Sequence, residues 1–211
     1  MYYEPVDFRH SVEALIPGVQ GRVLGVLARA GTDLTMRRVA DLAGVSPQQA
    51  SVVIGKLVEL GVVERRDVPP ASLVRLVAEN LAAQAVLSIA DLRQAGLKRL
   101  GELALDIRPA PVSLMVFGSF ARGEADAESD LDVLAVRPRG LARDNDEWTD
   151  SLWSWTAAAT RAVGNPVNVM EAAEEEISGL LRRPGPTVWT DIVRDGIVLV
   201  GSRLERLAEA A

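Results

Sequence analysis

Residues 112–136 read VSLMVFGSFARGEADAESDLDVLAV. Val112–Phe117 is a short apolar run suited to a buried strand. It runs straight into Gly118-Ser119, where the glycine permits a tight turn from strand to helix. Ser119 and the backbone N–H groups after it then lie at a helix N-terminus, where phosphate is favoured. A polar loop, Glu124–Ser129, leads to a second strand that opens at Asp130 as Asp-Leu-Asp-Val-Leu-Ala-Val. Strand side chains alternate, so Asp130 and Asp132 point the same way, about 6.6 Å apart along the strand. Two such carboxylates repel, and at least one takes up a proton unless something offsets the charge. A divalent cation does so, and paired oxygen ligands suit magnesium or manganese. The stretch therefore predicts a phosphate cradle beside a metal site, the parts that hold a nucleoside triphosphate with its metal.

The segment GSFARGEADAESDLDVLAV resembles the signature of the nucleotidyltransferase fold, in particular the minimal nucleotidyltransferases and the kanamycin nucleotidyltransferase-like members of the DNA polymerase beta superfamily. The shared pattern is Gly-Ser, a few residues, Arg-Gly, then Asp-x-Asp opening a strand. The resemblance implies that Gly118 and Ser119 hold the triphosphate. It also implies that Asp130 and Asp132 bind two magnesium ions, which neutralise phosphate charge and activate the attacking hydroxyl. Arg122 is either a phosphate contact or a structural arginine that fixes the loop. The family carries a third carboxylate on the next strand, for metal binding and for deprotonating the nucleophile. The candidate strand here is residues 166–171, and the third position falls on Asn168. Asparagine is neutral, cannot accept the proton and is a weaker ligand. Glu171, three residues on, faces the other side of a regular strand and replaces the acid only through a bulge or a turn. A general base worth a factor of about 10²–10⁴ is then missing, so metal and nucleotide binding is expected ahead of transfer.

Further along, Trp148, Leu152, Trp155, Ala159 and Val163 recur at helical spacing and read as core. Trp153 lies off that stripe, either at an interface or under a neighbouring segment. Glu174-Glu175-Glu176 reads as a solvated face near a helix N-terminus, Ile197–Val200 as a last strand, and Arg203–Ala210 as a short helix. Before the signature, Val77–Leu105 has helical periodicity through Val77, Leu81, Ala85, Ile89 and Leu92, then Leu97, Leu100 and Leu103, with Gly96 as the expected break. Its apolar face covers either the adjoining sheet or a dimer seam.

The N-terminal third has a different character. Val23–Ala30 is apolar at helical spacing and stops at Gly31. Thr35 is the expected N-cap of a short helix, Met36–Ala43, with Val39, Ala40 and Leu42 inward. Gly44 allows the next turn. Ser46, Pro47 and Gln49 form a capping box with proline at the first helical position. Ala50, Val53, Ile54, Leu57 and Leu60 then make one apolar stripe up to Gly61. Two short strands, Val62–Arg66 and Ser72–Leu76, follow. The stretch TMRRVADLAGVSPQQASVVIGKLVELGVVERR, in this order of elements, resembles the winged helix-turn-helix domains of bacterial regulators. The resemblance implies a third helix lying in the DNA major groove. Spacing leaves Gln48, Gln49, Ser51, Val52 and Lys56 on its outer face. Glutamine and serine can read base edges, and Arg37, Arg38, Lys56, Arg65 and Arg66 are the expected phosphate contacts.

The 211 residues allow one large domain or two small ones. Net charge is −6, but residues 1–75 hold nine basic and eight acidic side chains, against fourteen and twenty-one in the remainder. That asymmetry points to two units with different partners. There is no cysteine, which excludes disulfides, thiol catalysis and thiolate metal sites. His10 is the only histidine, so a Ser-His-Asp triad would need it as base, and a multi-histidine cage is excluded. We read it as a surface or interface residue. No apolar run spans a membrane, and the first ten residues, with Glu4 and Asp7, lack the pattern of a secretion signal. The expected protein is α+β and cytoplasmic. It has a winged helix-turn-helix at 1–76, a helical connection at 77–108 and a nucleotidyltransferase-like mixed sheet with flanking helices at 109–211. The expected function is a DNA-binding transcriptional regulator whose second domain binds a magnesium nucleotide. The alternatives are an active nucleotidyltransferase acting on a hydroxyl of a protein, RNA or small molecule, and the antitoxin of a toxin–antitoxin pair. Expected partners are double-stranded DNA, a nucleotide, a second copy of the chain and, for an antitoxin, another protein.

Overall fold

The computed structural model describes residues 5–183, 185 and 187–209. Glu4 and Ala210 lie outside the described residues. The chain divides into two compact units, one from His10 to Leu92 and the other combining residues up to Arg9 with those from Arg93 onward.

The first unit comprises α1 (Ser11–Leu15), α2 (Val19–Ala30), the two-residue β1 (Leu34–Thr35), α3 (Met36–Ala43), α4 (Pro47–Glu59), β2 (Val63–Val68), β3 (Ala71–Leu76) and α5 (Leu81–Ala90). Local chemistry sets the helix starts. Thr35 accepts the Arg38 N–H at 3.2 Å. Ser46 accepts the Gln49 N–H, and the Gln49 side chain accepts the Ser46 N–H in return. β2 and β3 pair antiparallel around Pro69-Pro70, with β1 on the far side of β3. Val23, Leu27, Val39, Ile54, Leu57 and Val74 form the core.

Three leucines expected inside are exposed: Leu42 at 49%, Leu60 at 68% and Leu81 at 81%. α3 buries Val39, Ala40 and Ala43, and Leu42 falls off that face. Leu60 is the C-cap of α4, where the chain has left the stripe's helical path. The Asn80 side chain caps α5 by accepting the Ala82 and Ala83 N–H groups. Ala83 and Val86 then face the core in place of the exposed Leu81 and Ala85.

The second unit comprises α6 (Leu92–Ala104), β4 (Ser113–Phe117), α7 (Gly118–Arg122), β5 (Leu131–Arg137), α8 (Asp146–Val163), β6 (Val167–Ala173), a 3-10 turn (Glu174–Glu176), α9 (Ile177–Leu181), α10 (Val188–Asp195), β7 (Ile197–Gly201) and α11 (Leu204–Glu209). The helical break in the expected connection falls at Asp91. Gly96 is internal to α6, where it faces the Phe120 ring and the cost of a helical glycine is offset by packing. The segment 77–108 is shared out, with Val86 of α5 in the first unit's core and Leu97 and Leu100 of α6 in the second's. The sheet order is β6-β5-β4-β7, with β5 and β6 parallel and the other pairs antiparallel. One face carries Leu114, Val116, Leu131 and Val133 against Leu100, Trp148 and Trp155. The other carries Met115, Leu134 and Val136 against Ile177, Trp189, Ile192 and Leu204. Trp153 is 73% exposed, so no segment among the described residues covers it.

Candidate functional site

β4 and β5 bring the signature together. Phe117, the last residue of β4, pairs with Asp132 in register. The chain then turns at Gly118, whose φ of 71° favours glycine. A side chain there would also collide with Asp132, since a Cβ would sit 2.7 Å from its Oδ2. Gly118 is therefore required twice, by its conformation and by the carboxylate beside it. α7 ends at Gly123, and the loop to Asp130 is tied internally. Asp126 accepts the Ser129 hydroxyl at 2.8 Å and the Glu128 N–H at 3.1 Å. The Ser129 hydrogen bond is the main cause holding the Asp126 carboxyl below its usual range.

Asp130 is exposed and lies one residue before β5, so the strand opens at Leu131 and not at Asp130. Residues entering a strand pair with its neighbour only once the partner's backbone is in reach, and β6 begins opposite Leu131. Asp132 is partly buried, and in the parallel β5–β6 register it lies opposite Asn168. The Asn168 Nδ2 donates to Asp130 Oδ2 at 2.9 Å. Burial pushes the Asp132 carboxyl up, the charge of Asp130 pushes it further, and a hydrogen bond from Asn168 offsets part of this.

The residues fit a magnesium ion shared with phosphate. The donor set is two carboxylates and an amide, all hard ligands once the amide turns its oxygen inward. Among the described residues no group of three or more His, Cys, Asp or Glu could enclose a metal alone. Magnesium commonly takes one or two protein carboxylates and completes its shell with substrate phosphate and water. The Ser119 hydroxyl has no protein partner among the described residues. Arg122 is engaged inside the domain, with Nε 2.7 Å from Glu124 and NH1 3.7 Å from Asp195. Glu171 pairs with Ala135 in regular register, without a bulge. It accepts the Trp148 indole N–H at 2.8 Å and lies 3.5 Å from the buried Arg137 guanidinium. It faces away from the aspartates and is committed to the core.

On the first unit, Gln48, Gln49, Ser51, Val52 and Lys56 all lie on the exposed side of α4. Gln49 spends its amide oxygen on the Ser46 cap, which leaves only its NH2 group for a base edge. Arg37, Arg38 and Lys56 have no ion-pair partner among the described residues. Arg65 is bonded to Asp67 and Ser72, and Arg66 to Asp33, so their charge is already partly answered.

Sequence reading passed over Asn165, Arg9 and Arg93, which contact the loops of the site. Asn165 follows the Gly164 helix cap and looks like ordinary turn chemistry. Its partners are remote in sequence, so no local spacing reveals it.

Residues 16–72 match the MarR family, and residues 97–183 match the nucleotidyltransferase domain. One chain therefore carries a MarR-family winged helix domain and a nucleotidyltransferase domain. No curated protein matches the chain. Among solved structures, it is similar to a toxin–antitoxin with AMP-PNP, at 20% identity over 54% of this chain and 82% of that one, with a TM-score of 0.38. A mutant of the toxin–antitoxin MntA-HpeT matches at 17% identity over 54% and 81%, with a TM-score of 0.37. NadR in complex with 4-hydroxyphenylacetate matches at 19% identity over 44% and 69%, with a TM-score of 0.33. Among the described residues, no helix is long and apolar enough to cross a membrane.

Proposed function

We propose, from the premise that a MarR-family winged helix is joined to a nucleotidyltransferase domain, that this protein is a DNA-binding transcriptional regulator whose second domain binds a magnesium nucleotide and has lost most of its transfer chemistry. The observation that carries this reading is Asn168 standing opposite Asp132 with its amide on Asp130. An amide supports a bound cation but takes no proton from a nucleophile. The only nearby acid on β6, Glu171, is spent on Trp148 and Arg137.

In this reading Asp130 and Asp132 hold the metal, Gly118 and Ser119 receive the phosphates, and Arg122 stiffens the loop through Glu124. The bound magnesium supplies charge neutralisation for the triphosphate. Gln48, Ser51 and the free edge of Gln49 read bases, while Arg37, Arg38 and Lys56 contact phosphates, with smaller contributions from Arg65 and Arg66. The protein works in the cytoplasm as a homodimer on a two-fold operator. A second reading is an active transferase, which the retained Asp130–Asp132 pair allows, since two carboxylates at the mouth of one strand can hold a catalytic metal as well as a merely bound one.

The test is titration of the full chain with Mg·ATP, followed by incubation with labelled nucleoside triphosphates and a host lysate. The double variant Asp130→Asn/Asp132→Asn abolishes Mg·ATP binding if the site is as described; unchanged binding rejects it. A labelled product that disappears in the same variant moves the assignment to the transferase.

A further inference from the structure

Two short loops carry the site: Arg93 and Phe8 hold the first, and Arg9, next to Phe8 in the chain, holds the second together with Asn165. The first is α7, one turn of helix beginning at Gly118. So short a helix has few internal hydrogen bonds, and the Phe120 carbonyl accepts only the Gly123 N–H from within it, at 3.2 Å. Arg93, on the first turn of α6, adds to this: its Nε donates to the Phe120 carbonyl at 2.7 Å, and its NH2 group donates to the Ala121 carbonyl. The Phe8 ring packs edge-on against Phe120, with centroids 4.8 Å apart.

The second loop, Glu124–Ser129, ends immediately before Asp130. The Arg9 N–H donates to the Ala125 carbonyl at 3.2 Å, and its guanidinium reaches Asp126 Oδ2 at 2.9 Å. Asn165, only 1% exposed, donates to the Ser129 carbonyl at 2.9 Å and accepts the Val6 N–H at 3.0 Å. The buried amide thus fixes the backbone next to Asp130 and the N-terminal strap together.

Arg9 is the last residue of this unit before the chain leaves for the helix-turn-helix unit, and Arg93 is the first after it returns. We propose that Arg9, Arg93 and Asn165 are positioning residues that set the spacing between the Gly118-Ser119 turn and Asp130, and that through Arg9 and Arg93 this spacing is linked to the DNA-binding unit. The inference rests on the reading of Gly118, Ser119, Asp130 and Asp132 as the nucleotide site. A ligand that draws the two loops together acts on the residues at both chain connections. Linkage then requires that nucleotide and DNA change each other's affinity by the same factor.

The experiment uses the full chain as wild type, Arg9→Met, Arg93→Met and the conservative Arg9→Lys. In the ligand-free protein, the methionine variants speed amide exchange across residues 118–131 by about tenfold, while exchange in α4 is unchanged. Mg·ATP binding weakens by about threefold to tenfold in both, and Arg9→Lys restores it. For a duplex selected by the wild-type chain from a random pool, Mg·ATP shifts affinity by about fivefold, and the methionine variants lose that shift. Unchanged exchange in the loops overturns the positioning role and the link that acts through it, while leaving the site reading intact. Equal shifts in wild type and variants, or none in the wild type, overturn the link to DNA. A wild-type chain that binds no Mg·ATP overturns the site reading beneath, and this inference with it.

Discussion

The amide of Asn168 reaches from β6 to the carboxylate of Asp130, 2.9 Å away, at the strand register that sets Asn168 opposite Asp132. A hydrogen bond stands where a further negative charge would meet two others. It eases the repulsion between the aspartates in the absence of metal and removes the group able to accept a proton.

Replacing Asn168 by aspartate should reverse both effects. The metal-free chain loses stability because three carboxylates then share one corner. Magnesium raises its Tm by more than in the wild type. Nucleotide transfer gains up to the range of a general base, about 10²–10⁴. Thermal melts with and without magnesium, and labelled-nucleotide transfer, read these out; a flat transfer rate rejects Asn168 as the lesion. Glu171→Gln should leave Mg·ATP binding unaltered, since Glu171 serves Trp148 and Arg137.

Asp132 makes metal binding and stability depend on pH in opposite senses. Its carboxyl is raised by burial first and then by Asp130, so folding favours its protonated form relative to the unfolded chain. The stability this contributes is fully present below the ordinary aspartate value, about 3.9, and is lost as pH rises through the higher folded value. At neutral pH the ionised group therefore costs stability. Asp132→Asn should raise the Tm of the metal-free chain and abolish its response to magnesium. In the wild type, magnesium affinity should fall on acidification at a higher pH than an ordinary aspartate would give. Calorimetry across a pH series measures both.

Gly118→Ala should cost about 1–2 kcal/mol from the left-handed backbone alone. Displacement of Asp132 adds to this, since the new Cβ would press on its Oδ2. Urea denaturation gives the stability, and Mg·ATP titration should show binding lost. Gly55→Ala is the control: it lies inside α4 with nothing within 4 Å of the added carbon. It should stabilise by about 0.5–1 kcal/mol.

Arg37→Ala and Arg38→Ala should each lower the salt dependence of DNA binding by about one unit of slope, with little change of sequence preference. Arg65→Ala and Arg66→Ala should do less, because Asp67 and Asp33 already answer those charges. Anisotropy titrations over a series of KCl concentrations separate the two pairs. Equal slopes for all four reject the distinction.

Much of this protein was legible in short stretches. The Thr35 and Ser46 caps, the glycine stops, the hairpin around Pro69-Pro70 and the Trp148–Val163 stripe all appear where spacing places them. So does the Gly118 turn between two strands. Three misses share a cause. Leu42, Leu60 and Leu81 sit at or near helix ends, where one residue of shift turns a side chain from core to solvent. A separate miss is Gly96, the expected break, which lies inside α6 facing Phe120, an approach no helical pattern announces, while the break falls at Asp91.

From its sequence alone, this chain determined two units, their order and the acids at the mouth of one strand, because caps, turns and alternation act between residues a few positions apart. Tertiary structure decided which charges stay free, that Glu171 is bound to Trp148, and that Val6 and Asn165, 159 positions apart, join behind Asp130. Those choices depend on partners brought together only when the sheet closes, and no local pattern of residues encodes them.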